Sequence, residues 1–198
     1  ISTAHSEADV DALIAAYTRS IQQMIAAGFL RGDSQTLMLE AKQAYSIGLT
    51  EGQTEIWLSA QGSDEANAAY NLSNVMKLGG KLDVMRVKLA VQTLVNRHDA
   101  LRATFSADGS LQTILPKLDI DIIEHDLSVL SEKARGYRMA QLREKAVSKP
   151  FDLENGPLVR AALIRLAPEQ HELWLTAHHI VVDGWSSGVL MREAGQLY

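Results

Sequence analysis

The 198-residue chain is 46% hydrophobic and 22% charged, the balance of one globular domain, or one with a tail, and not of a disordered segment. Nineteen Lys+Arg against 24 Asp+Glu leave a net charge of -5, so no global basic field points to nucleic acid. With no cysteine, disulfides, thiolate metal sites and a Cys nucleophile are excluded, which fits a reducing, cytoplasmic compartment.

No apolar run approaches the ~18 residues of a membrane span, and no secretory leader is visible. Starting at Ile1 and stopping at Tyr198 inside a helical pattern, the chain reads as a piece of something longer. Val10, Leu13, Ile14, Tyr17, Ile21, Met24 and Ile25 recur at helical spacing after Ser6, and Gly28 closes a helix over 6–28. Residues 29–48 carry little pattern, and 32–48 are read as a linker. A short helix follows from Thr50 to Ala60, broken by Gly62-Ser63-Asp64. Leu72 to Leu78 reads as a strand ended by Gly79-Gly80, and Asp83 caps a helix to Arg97 with Val84, Val87, Val91, Leu94 and Val95 on one face. Leu101 to Phe105, Leu111 to Leu115 and Ile120 to Ile123 read as short strands, the first two joined by the Ala107-Asp108-Gly109 turn. A helix with a charged face is predicted over 131–148. Strands Leu158 to Leu166 and Glu172 to His179 meet in a hairpin through Ala167-Pro168-Glu169-Gln170, and a helix runs from Gly184 to Tyr198. This alternation predicts an α/β sandwich with a mixed sheet. No GxGxxG or Walker-type loop supports nucleotide binding.

The densest polar cluster is His178-His179-Ile180-Val181-Val182-Asp183-Gly184-Trp185-Ser186, at a strand-to-helix junction where sites often lie. Three readings compete. A metal site is disfavoured because adjacent strand residues point to opposite faces and no third His or Cys has ligand spacing. In a structural reading one His packs in the core, Asp183 caps the next helix and Gly184 permits a tight turn. In a catalytic reading one His faces a channel and moves protons near neutral pH, while Asp183 shapes the loop through an ion pair.

The cluster resembles the HHxxxDG motif of condensation domains in nonribosomal peptide synthetases, of the chloramphenicol acetyltransferase-like superfamily. Leu49-Thr50-Glu51-Gly52-Gln53-Thr54-Glu55-Ile56-Trp57-Leu58 resembles the first family motif. Arg97-His98-Asp99-Ala100-Leu101-Arg102-Ala103-Thr104-Phe105 resembles the second, with Asp99 where Glu is usual and Ala103 in place of Thr. Pro150-Phe151-Asp152-Leu153 and Gly156-Pro157-Leu158 match the approach to the active-site strand. Glu55, with Ala69-Tyr70-Asn71, looks like the subgroup at polyketide–peptide junctions; Trp185-Ser186 looks like condensation rather than epimerization domains, and the DxxxxD of heterocyclization domains is absent. Ile1 to Val10 resembles the C-terminal tail of class III, pyridoxal-phosphate-dependent aminotransferases; an unrelated linker helix is the alternative.

The resemblance implies a two-lobed domain with a channel between the lobes. Residues 49–198 would form the N-terminal lobe of the chloramphenicol acetyltransferase-like two-layer sandwich with a mixed sheet, and 1–31 a helical segment, possible tail of an upstream aminotransferase. It implies amide formation between an acyl thioester and an aminoacyl thioester, presented on phosphopantetheine arms of upstream and downstream carrier proteins, with no directly bound cofactor or metal. His179 takes the catalytic place, as a base or by orienting the amine and stabilising charge. His178 and Asp183 are structural candidates, Arg102 is the expected ion-pair partner of Asp183 through its guanidinium fork, and Gly184 would let the backbone approach the thioester. A lone lobe lacks half the channel, exposes an apolar interface and is expected to be inactive alone. The alternatives are a stand-alone acyltransferase of the superfamily and a non-catalytic carrier-recruiting module.

Overall fold

The computed structural model describes residues 43–198; the helix expected over 6–28, the aminotransferase-like segment 1–31 and the linker up to residue 42 lie outside the described residues. The remainder of the expected linker is not all linker. Tyr45–Gly48 forms strand β1, paired antiparallel with Leu111–Ile114. Its four residues are all exposed, so no buried face marks it in the sequence.

Helix α1 (Glu51–Ala60) begins with a reciprocal cap: Thr50 accepts from the Gln53 amide, and the Gln53 side chain accepts from the Thr50 amide. Helix α2 (Asp64–Ala68), where the sequence predicts only a break, is capped by the Ser63 hydroxyl on the Ala66 amide. Strand β2 (Asn71–Gly79) and helix α3 (Val84–Arg97, capped by Asp83) fall as the spacing predicts. The expected strand Leu101 to Phe105 is instead a 3-10 turn, Asp99–Arg102, leading into β3 (Ala103–Phe105). Then come β4 (Leu111–Ile114), β5 (Ile122–Asp126), α4 (Glu132–Ser148), β6 (Val159–Ala167), β7 (Gln170–His178) and α5 (Gly184–Leu197).

These strands form an antiparallel sheet β1-β4-β3 and a mixed sheet β2-β7-β6-β5 in which only β5 and β6 run parallel. The parallel pair requires a crossover, and α4 supplies it. Alternation along β6 and β7 sends Val159, Ala161, Leu163, Leu173, Leu175 and Ala177 to one face, against the α3 stripe Val87, Val91, Leu94 and Val95 and against α5. Ile164 and Trp174 project from the other face onto Met139 and Leu142 of α4. The α/β class and mixed sheet are those expected; because both faces of β6 and β7 are apolar, α4 adds a layer to the two-layer expectation. A separate cluster joins Trp57 and Ala60 of α1 to Phe105 and Ile114 of the small sheet, with Phe151, Leu158 and Ile180.

Gly109 fixes the β3–β4 turn. Its φ is +68°, and a Cβ there would meet the Trp57 ring at 2.6 Å. Gly109→Ala is expected to cost about 2–4 kcal/mol from the left-handed backbone and the overpacked ring together. Urea unfolding checks it; a loss below about 0.5 kcal/mol, the size of an ordinary surface effect, would show that the ring moves aside freely.

Candidate active site

Strand β7 ends at the histidine pair with its backbone still held on both sides. The His178 amide donates to the Leu158 carbonyl at 3.0 Å, and the His179 amide donates to the Tyr70 carbonyl at 2.8 Å. Past His178 the chain turns, the Val181 amide donating to the His178 carbonyl at 3.0 Å, so His178 closes the strand and His179 opens the turn. Among the described residues no group of three or more His, Cys, Asp or Glu is placed to hold a metal ion.

His178 is fully buried. Its ring lies 5.9 Å from Tyr70 and 6.1 Å from Phe151, the latter edge-on. The Ile180 amide donates to Nδ1 at 3.2 Å, so the neutral ring carries its proton on Nε2. Burial pushes the His178 pKa down to about 4; the nearby Asn67 carbonyl opposes that, and the positive charges of His179 and Arg160 add to it. Nε2 nevertheless makes no hydrogen bond of ordinary geometry. Such a ring is locked neutral and out of reach of a substrate.

Two residues missed by sequence reasoning build this cage. Buried Asn67, presented by α2, clamps the Phe151 backbone: its Nδ2 donates to the Phe151 carbonyl at 3.1 Å and its Oδ1 accepts from the Phe151 amide at 2.8 Å. Arg160 lies 3.6 Å over the Phe151 ring and donates to the Lys149 and Pro150 carbonyls at 2.7 and 2.9 Å. A charged residue inside the apolar run of β6 was the available signal for Arg160; for Asn67 there was none beyond its Ser63-capped turn.

His179, in the turn, is half-buried, and its Nδ1 is buried without a partner. Asp183 caps α5, its Oδ1 accepting from the Ser186 amide at 2.7 Å. That amide, then the Ser186 hydroxyl, hold the Asp183 carboxyl below the usual range, with a smaller contribution from the charge of His179. A Cβ on Gly184 would meet nothing within 4 Å, so the fold leaves this position open. Trp185 beside it is 64% exposed.

The expected Asp183–Arg102 ion pair is not formed. Arg102 is buried in the 3-10 turn, pairs with Asp99, and donates to the Val95 carbonyl at 3.3 Å and the Leu115 carbonyl at 2.6 Å. A guanidinium fork satisfies carbonyls as readily as a carboxylate, and here the end of α3 and the end of β4 supply them. The helix amide already answers Asp183. Arg102 therefore supports the fold from a distance, while His178, His179, Asp183 and Gly184 come together at the end of β7.

Asp183→Ala should cost about 1 kcal/mol as a lost cap, and Arg102→Ala about 3 kcal/mol as its carbonyls lose donors inside the fold. In the double variant the losses should add to within about 0.5 kcal/mol; a larger coupling in denaturant unfolding would restore the ion pair. For His178, the unfolded ring titrates near 6.5 and the folded ring near 4. Between those values the unfolded chain binds more protons, so stability is full above pH 6.5 and falls as pH drops toward 4, by about 3 kcal/mol. His178→Gln should be less stable at pH 7 and lose less across that window; equal slopes in melting experiments would refute the assignment.

A model of the family described as "Condensation domain" matches residues 43–198. Chondramide synthase cmdD of Chondromyces crocatus is 41% identical over 77% of this chain, which spans 4% of that protein. Tyrocidine synthase 3 of Brevibacillus parabrevis is 37% identical over 81% of the chain, which spans 2% of it. Among solved structures, a variant of the starter condensation domain of the rhizomide synthetase RzmA superposes with a TM-score of 0.70 at 26% identity, covering 78% of this chain and 37% of that one. The cyclization-docking bidomain of the EpoB synthetase from Sorangium cellulosum gives 0.69 at 26% identity, covering 100% and 39%. With the strand-end histidines, the capped loop and the fold in agreement, this chain belongs to the condensation-domain family of nonribosomal peptide synthetases.

Proposed function

We propose that this chain supplies the catalytic histidine, His179, for amide formation between two carrier-bound thioesters. The observation that carries the reading is the asymmetry of the pair: His178 is fully buried beside two aromatic rings, whereas His179 keeps part of its surface exposed at the start of the loop that leads to the open backbone at Gly184. The acceptor amine attacks the donor thioester carbonyl, a tetrahedral intermediate forms, and the thiolate leaves as the C–N bond is completed. His179 takes a proton from the attacking nitrogen and returns it to the departing sulfur, so the balance needs no other reactant. A thioester is already activated, so holding both partners in line supplies much of the acceleration; a positioned base adds typically ~10²–10⁴-fold.

Phosphopantetheine arms of an upstream and a downstream carrier protein would present the substrates, in the cytoplasm, with no cofactor bound by this chain. Among the described residues no helix is long and apolar enough to cross a membrane. Glu55 and Ala69-Tyr70-Asn71 support placement at a polyketide-to-peptide junction. Exposed Trp185 next to the open glycine supports a second lobe closing over this end of β7.

The test compares this 198-residue chain with the complete condensation domain, each mixed with acyl- and aminoacyl-loaded carriers, and follows transfer by intact-protein mass spectrometry. Condensation by the complete domain alone is expected. His179→Ala should slow it by about 10²–10⁴-fold. Gly184→Val, which clashes with nothing in this chain, should slow turnover with stability changed by less than about 0.5 kcal/mol. Full activity of His179→Ala would sink the assignment. Carrier binding without transfer would indicate a recruiting module, and transfer from soluble thioesters alone a stand-alone acyltransferase.

A further inference from the structure

A cavity among the described residues lies away from His179. It is a groove of about 580 Å³ between α4 and the β5-β6-β7 face, within the size range of small-ligand sites. Its floor is apolar and well packed: Leu142, Ile164 and Trp174 are buried there. Cations line it. Arg138 and Lys145 of α4, Lys149 after that helix, and Arg160 of β6 all face it, against a single carboxylate, Glu144. Among the described residues none of these four cations forms an ion pair. The chain as a whole carries -5, so the positive charge here is segregated, not average. His125 on β5 feels the same field: burial first, then Arg138 and Lys145, push its imidazole below its ordinary range.

The shape indicates the occupant. Four residues of strand separate Arg160 from Ile164, a run of about 13 Å. An apolar floor of that length suits an extended chain, and half-buried Arg160 at one end lies over the Phe151 ring and donates to two main-chain carbonyls, with no carboxylate partner among the described residues. We propose that this groove is a binding site for an extended amphiphilic anion, with a carboxylate or phosphate head at Arg160 and Lys149 and an unbranched apolar tail along β6 toward Trp174. The site is separate from the one at His179 and does not depend on the condensation reading. It touches the same frame, because the Lys149 and Pro150 carbonyls held by Arg160 lead directly into Phe151.

The experiment uses the complete condensation domain carrying this chain and reads binding, not activity. Octanoate, octyl phosphate and neutral octyl glucoside, each below its micelle threshold, are titrated by calorimetry, with Trp174 fluorescence reporting occupancy. Both anions, or one of them, should bind at least tenfold more tightly than the glucoside; which one binds names the head group. The exposed pair Lys145→Glu and Lys149→Glu should weaken the anions at least tenfold with an unchanged melting temperature, and Ala162→Phe, which fills the floor, should abolish binding. Charge reversal leaves the backbone contacts of Arg160 intact, so a loss there reads binding and not folding. Equal binding of the glucoside, no saturable binding, or affinities unmoved by either variant would overturn the proposal. So would rim variants that weaken an acidic carrier protein while no small anion binds, since the groove would then be a protein-docking face.

Discussion

Strand β7 is hydrogen-bonded along both edges, to β2 and to β6, from Gln170 to His178. That saturation leaves it no free edge and buries both of its side-chain rows, so polar residues on it are driven to find partners inside the protein, and His171 Nδ1 is left without one. Glu172 accepts from the Trp174 indole at 2.8 Å, Thr176 shares a hydrogen bond with Ser73 at 2.9 Å, and His178 takes the Ile180 amide. The pairing persists one residue past the strand, through the His179 amide on Tyr70. The loop that reaches Asp183 therefore starts from a backbone pinned on both sides, and His179 sits at the end of a fully paired strand.

One strand end thus makes two different histidines from the same residue type. The inner ring gains packing against Tyr70 and Phe151 and loses the ability to carry charge at neutral pH. The outer ring keeps access. Burial is the first cause of the inner ring's loss, with the nearby charges adding to it. The aromatic cage is in turn held by polar groups: Asn67 grips the Phe151 backbone and Arg160 lies on its face.

Long periodic elements were legible. The α3 stripe and its Asp83 cap, the β6–β7 hairpin and the α5 start at Asp183 all follow from local spacing. Short elements were not. The five residues of α2 and the four of β1 show too little of any period, and the 3-10 turn at Asp99–Arg102 borrows its apolar content from Leu101, which reads equally well as strand. At the site, contiguous residues were readable and assembled ones were not. His178, His179, Asp183 and Gly184 are neighbours in sequence, whereas Asn67, Phe151 and Arg160 meet only after folding. Arg102 shows the limit from the other side: a guanidinium announces that it wants acceptors, but sequence does not say whether a carboxylate or a helix-end carbonyl will be nearer.

The Asn67–Phe151 clamp has a consequence for recombination. Its two hydrogen bonds join residues 84 positions apart, across α3, the small sheet and α4. A chimaeric synthetase whose crossover falls anywhere between them takes its asparagine from one parent and its phenylalanine loop from the other. Junctions before α2 or after β7 leave that seam within a single parent, and on this geometry they are the ones that preserve the histidine cage.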